Sequence, residues 1–273
     1  MSVIRWTSGV LALGLSGGSA AHFQMLYTAE TALNAAQATR FVMVFTHPAH
    51  GGPSMDMAEP EAFYVISQRG DDAEPVRTDL TSSLEAIEWH GAENRRAYEA
   101  RLARPVTRSL GDYVFVLEAG PYYESNEDKY IQQLTKTMIN IGGVPGNWAD
   151  PVGLPAEIMP LDKPYANWAG GVFRGVVLAD GKPVPNAELE VEYLNHPPDL
   201  ERHRFAEEPE VALPQDSFGT MGIRANDRGE FTIGLPRAGW WGICALAVGP
   251  DTEHQGKPLS QDAVLWIQVK DMR

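Results

Sequence analysis

The chain has 273 residues, 36 acidic against 22 basic side chains for a formal charge of −14, and a single cysteine. That balance argues against nucleic acid or an anionic membrane surface as the main partner and draws cations in, while one thiol leaves no disulfide to be made within the chain. The length suits two modest domains or one large all-β domain.

Residues 1–21 read as an export signal: Arg5 supplies positive charge, the stretch from Trp6 to Leu15 is mainly apolar, and Ser16-Gly17-Gly18-Ser19-Ala20-Ala21 is small-residue cleavage territory. The expected location is periplasmic, with the mature chain starting at or next to His22. No apolar run reaches the roughly 20 residues needed to span a bilayer. From His22 to Tyr27 the chain alternates weakly, and Phe41-Val42-Met43-Val44-Phe45 is a short buried run, so the mature protein is expected to open with strands. Directly after that run comes Thr46-His47-Pro48-Ala49-His50-Gly51-Gly52-Pro53-Ser54-Met55-Asp56-Met57, in which Pro and Gly forbid a regular element. Its imidazoles, thioethers and carboxylate emerge from a strand end into a loop, a mix that suits transition ions without naming one.

Ala62-Phe63-Tyr64-Val65-Ile66 is another strand. Between Thr78 and Trp89 the spacing of Leu80, Leu84 and Ile87 predicts a short helix or a turn. Tyr98 to Leu102 alternates, and Tyr113-Val114-Phe115-Val116-Leu117 is the plainest strand of this half. Residues 130–141 fit either helix or strand, because Ile131, Leu134 and Met138 suit one and Thr135, Thr137 and Ile139 the other. Residues 142–171 are dense in Pro and Gly and place a domain junction, with Trp148 and Trp168 suggesting a linker that packs. Further on, Asp180-Gly181 signals a hairpin, Glu188-Leu189-Glu190-Val191-Glu192-Tyr193-Leu194 alternates, and Asn195 to Gln215 is a long polar insertion carrying His196 and His203. Cys244, inside the run from Trp240 to Val248, reads as a small buried hydrophobe. The expected fold is mainly all-β: two β-sandwich domains, residues 22–150 and 171–273, joined by a packed linker at 151–170.

Phe173-Arg174-Gly175-Val176-Val177, Asp180-Gly181-Lys182-Pro183-Val184-Pro185-Asn186-Ala187, Gly229-Glu230-Phe231 and Pro236-Arg237-Ala238-Gly239-Trp240-Trp241 resemble the transthyretin-like or carboxypeptidase-regulatory-like sandwich. The whole mature chain, including His22-Phe23-Gln24-Met25-Leu26, the loop from His47 to Met57 and Glu253-His254, is similar to the periplasmic components of bacterial nickel/cobalt uptake systems. That resemblance implies an extracytoplasmic binder, without catalysis, that supplies Ni2+ or Co2+ as cargo to a membrane-embedded transporter component.

The candidate metal ligands, argued from donor chemistry, are His22, His47, His50, His254, Asp56 and Met57. Cleavage after Ala21 would put an α-amine on His22 itself; cleavage after Ala20 would put it one residue earlier, with the His22 amide nitrogen joining the chelate. Both arrangements suit tetragonal Ni2+ or Cu2+. Met55 and Met57 can equally fill a core edge, and His90, His196 and His203 can be solvated; Tyr122 and Tyr123 can wall the site or pack. Two other readings compete. A chain-start histidine with a second imidazole on a β-sandwich also describes copper-dependent oxidative enzymes, and a structural or adhesive β-sandwich would carry its histidines incidentally. No GxSxG elbow, Walker loop, HExxH helix or dinucleotide fingerprint is present, which removes the corresponding enzyme classes.

Overall fold

The computed structural model describes residues 22–68 and 74–272, and the stretch expected as an export signal lies outside them. Three β-layers make up the fold. The middle layer is a large sheet whose main path runs Val76–Asp79, Ala62–Gln68, Gly111–Glu118, Lys129–Ile141, Lys257–Lys270, Gly239–Ala245, Glu188–Tyr193 and Thr220–Arg224. On one side lies a sheet formed by Phe23–Tyr27, Thr39–Thr46, Arg95–Leu102 and Leu84–Trp89; on the other lies one formed by Ala156–Pro160, Gly171–Ala179 and Glu230–Leu235.

Strand alternation explains how one sheet serves both neighbours. Phe63, Val65, Phe115, Leu117, Ile139, Val264 and Trp266 join the core under the first side sheet, whereas Tyr64, Val114, Val116, Met138, Ala263, Leu265 and Ile267 join the core under the second. The middle strands are therefore buried on both faces and read as near-continuous apolar runs. The ambiguous 130–141 segment is such a strand. It pairs in parallel with Lys257–Lys270 from Tyr130↔Leu259 to Thr137↔Trp266 and antiparallel with Gly111–Glu118. Its Lys136, essentially inaccessible, forms an ion pair with equally buried Glu157, whose oxygens also accept the backbone N–H groups of Val152, Gly153 and Leu154. That satisfies a charge pair which would otherwise cost several kcal/mol to desolvate.

The two halves thus share a sheet. Residues 151–170 do pack: Ala156–Pro160 is a strand on Gly171–Ala179, and Asn167–Trp168 pairs in parallel with the end of Lys257–Lys270. The helix or turn expected between Thr78 and Trp89 is a three-residue 3-10 turn, Thr81–Ser83, followed by the strand Leu84–Trp89. The spacing of three apolar residues was outweighed there by hairpin pairing with Arg95–Leu102. At the other hairpin, Asp180 and Gly181 both take positive φ, as a two-residue turn of that sequence requires. Among the described residues no helix is long and apolar enough to cross a membrane.

The long insertion does not wave free. It crosses the outer side of the first sheet, where Arg40 donates to the Leu200 carbonyl (2.7 Å) and to Glu99 (2.6 Å), and Phe205 packs edge-on against Trp89. His203 Nε2 meets the same Glu99 at 3.1 Å, and His90 N–H donates to the His203 carbonyl.

Candidate functional site

Phe23–Tyr27 and Thr39–Thr46 pair antiparallel with Phe23 opposite Thr46. Continuing that register by one residue sets His22 opposite His47, so two imidazoles from the start of one strand and the end of the other fall on the same face as cross-strand neighbours. Their ring centroids lie 4.5 Å apart at an interplanar angle of 48°. Phe45 stacks on His22 at 5.5 Å and Tyr122 stands at 6.2 Å, forming an aromatic wall. Glu124, buried at the end of a short hairpin, brings Oε2 to 3.3 Å from His22 Nε2 and accepts the Asn126 N–H through its other oxygen.

The strand start is held from below. Gln133 donates to the His22 carbonyl (2.7 Å) and accepts the Gln24 N–H (2.6 Å), and the same amide nitrogen reaches buried Asp262 at 3.2 Å. His22, His47, Tyr122 and Glu124 line a partly open cleft of about 500 Å³ whose wall also includes Asp56 and Arg95. Burial lowers the pKa of His22; Glu124 and Glu127 oppose that shift and Lys129 adds to it. At neutral pH the ring is therefore an uncharged imidazole with a carboxylate beside it, the state in which imidazole is a ligand.

The histidine loop is gripped by the second half of the chain. Glu192, fully buried, accepts the Ala49 N–H (3.0 Å) and the Thr220 hydroxyl (2.5 Å), and Asn195 bonds both the Pro48 and Ala49 carbonyls. Desolvation raises the Glu192 carboxyl to about 7. Within the loop the His50 N–H donates to the His47 carbonyl, closing a tight turn.

Of the residues expected to bind metal, the structure brings His22, His47 and Asp56 to one cleft. Asp56 is partly engaged, accepting the Arg96 N–H at 2.9 Å with Arg95 at 3.6 Å. Met57 is buried with its sulfur 3.4 Å from the Gln24 amide; Met55 lines the cleft instead. His50 lines a different cleft, and His254 packs edge-on against Tyr130 at 4.7 Å, outside the first cleft's wall. Sequence reasoning missed Glu124. Its signal was the polar run Glu124-Ser125-Asn126-Glu127-Asp128-Lys129 between two tyrosine-bearing strands, a hairpin tip with a carboxylate at its base. Among the described residues, no three His, Cys, Asp or Glu side chains lie close enough as placed to hold an ion.

Fold and site together define an all-β, three-layer protein with a cleft walled by histidine and carboxylate. The chain belongs to the family described as "Domain of unknown function (DUF4198)", whose profile matches residues 19–249. No curated protein matches it. Among solved structures it is similar to the D0-D1 domain of Intimin (10% identity, covering 89% of this chain and 97% of that one, TM-score 0.21). It is also similar to the Yersinia pseudotuberculosis adhesin InvE (11% identity, 91% and 61%, TM-score 0.22). A third is Dpr2 Ig1-Ig2 in complex with DIP-Theta Ig1-Ig3 (10% identity, 93% and 66%, TM-score 0.18). The chain spans about two thirds or less of the last two, and superpositions this loose carry no argument about function.

Proposed function

We propose that this protein is an extracytoplasmic, non-catalytic carrier of a divalent transition ion, Ni2+ or Co2+, that holds its cargo between His22 and His47 and passes it to a membrane-embedded uptake component. The observation that carries this reading is the register Phe23↔Thr46, which makes His22 and His47 cross-strand neighbours with Glu124 at 3.3 Å from His22. Export through residues 1–21 belongs to the same reading: cleavage after Ala21 frees an α-amine on His22 and adds the further donor that the side chains alone do not assemble. Binding through that amine, of ordinary pKa about 7.7–8.0, releases a proton and weakens as pH falls. The acidic chain favours cation capture without selecting the ion.

The test is native mass spectrometry and calorimetric titration of the form beginning at His22 with Ni2+, Co2+ and Cu2+ at neutral pH. One equivalent of Ni2+ or Co2+ displaced by H22A and by H47A is expected; binding unchanged in both variants removes the reading. The pairing of His22 with a second imidazole on a β-sandwich supports one alternative, a copper histidine brace with oxidative activity. Tight Cu2+ binding with oxygen-dependent substrate cleavage would select it.

A further inference from the structure

His50, three residues from His47, lines a separate cleft of about 360 Å³ together with His90 and His196. Three of the chain's seven histidines thus come from three separate segments to one place that the first cleft does not use. We propose that this cleft is a second binding position for a divalent transition ion of the Zn2+, Ni2+ or Cu2+ type, held by His50, His90 and His196.

His196 is the built part of the site. Its Nδ1 lies 2.9 Å from the Ala206 carbonyl, an acceptor only, so Nδ1 carries the proton and Nε2 presents a lone pair. A backbone carbonyl on the far nitrogen is the usual way a metal-binding imidazole is fixed in tautomer and orientation. The ring is braced from its other side by Gly51, at φ +66°, where an added Cβ would sit 2.6 Å from His196 Cγ. The tip of the His50 ring rests against Gly219, which lies outside this cleft's lining: a Cβ there would sit 2.7 Å from His50 Cε1.

His90 is placed by its backbone, which donates to His203 and forms a bridge with Arg204. Its Nδ1 stands 3.5 Å from Glu88 Oε1, an outer carboxylate able to orient it. The one cation at the rim, Arg204, is offset by Glu207 at 3.3 Å. Among the described residues no three such rings already close on one point, so the site forms by a change of side-chain rotamer at His50 and His90, both of which are exposed. Three imidazole donors with open remaining positions suit a borderline ion and not Ca2+ or Mg2+.

The decisive experiment titrates Zn2+ and Ni2+ into the full mature chain and five variants, with bound ions counted by native mass spectrometry. H22A/H47A leaves the second position intact and is expected to retain one ion. H196N keeps a side-chain N–H for the Ala206 carbonyl but lacks Nε2, and is expected to lose that ion's affinity by roughly 100-fold; H50A and H90A lose about tenfold or more each. In long-range 1H–15N spectra of H22A/H47A, Zn2+ shifts His196 Nε2 while Nδ1 keeps its proton. An unaltered chain that binds one ion, lost in H196N and kept in H22A/H47A, upholds this site while the first-cleft reading fails. No ion retained by H22A/H47A, or equal retention when H196N is added to it with an unchanged thermal midpoint, overturns the proposal.

Discussion

The two histidine clefts share one turn and are built in opposite ways. The first grows out of strand register: His22 and His47 are neighbours because Phe23 pairs with Thr46, and the Gln133 amide pins the strand start beneath them. The second is assembled from the surface inward, by an insertion that straps the outer side of a sheet and leaves His50 and His90 exposed. The difference teaches something about spacing. Imidazoles three residues apart face one way on a helix, but in a tight turn closed by the His50 N–H to His47 carbonyl bond they part company.

Removing the grip on the shared turn is expected to disturb both clefts most. In E192A the Ala49 N–H and the Thr220 hydroxyl lose their hydrogen-bond partner, at a cost of about 3 kcal/mol read by urea unfolding at pH 5, with the resonances of His47 and His50 both displaced. The next effect is on pH dependence. Glu192 titrates near 7 when folded against an ordinary 4.5, so the native state holds its proton where the unfolded chain has lost it. Stability from this group therefore falls as pH rises from about 4.5 to 7, by at most about 3 kcal/mol. E192Q, which still offers an acceptor to Ala49 and a donor to Thr220, is expected to flatten that slope in metal-free protein. Half-buried Glu190, also raised to about 7, retains its share.

Gly51→Ala separates the clefts. A non-glycine residue at φ +66° with its Cβ against His196 is expected to cost about 2 kcal/mol and shift the His196 ring, while the His22 and His47 signals stay in place. The smallest change belongs to the first cleft alone. In E124Q the His22 pKa, already lowered by burial, falls further because a neighbouring charge that raised it is gone. The folded pKa then lies deeper below the unfolded 6.5, so stability drops more steeply as pH falls through that value, which proton-detected titration and acid unfolding both read. Unchanged titration of His22 in E124Q would mean that Glu124 is not its partner in solution.

Much of the fold is legible in the residues. The runs at 41–45, 113–117 and 188–194 and the Asp180-Gly181 turn all match strands and a hairpin, since apolar alternation and turn chemistry are local properties. What is not local was missed or left open. Residues 130–141 could not be resolved because a strand covered on both faces shows no alternation. The sharing of one middle sheet by both halves depends on which distant strand pairs with which, and spacing carries no record of it. The same holds for the site. His22, His47 and Asp56 stand out as donors, whereas Glu124 acquires its place only through the hairpin that folds it beneath His22.

The parallel pairing of Lys129–Ile141 with Lys257–Lys270 also fixes an order of events in synthesis. A strand made near the middle of the chain must wait for the last strand before its second row of amides and carbonyls is satisfied, and contacts so remote in sequence form slowly. Until then the nascent chain presents an open, apolar sheet edge, the kind of surface that recruits other strands.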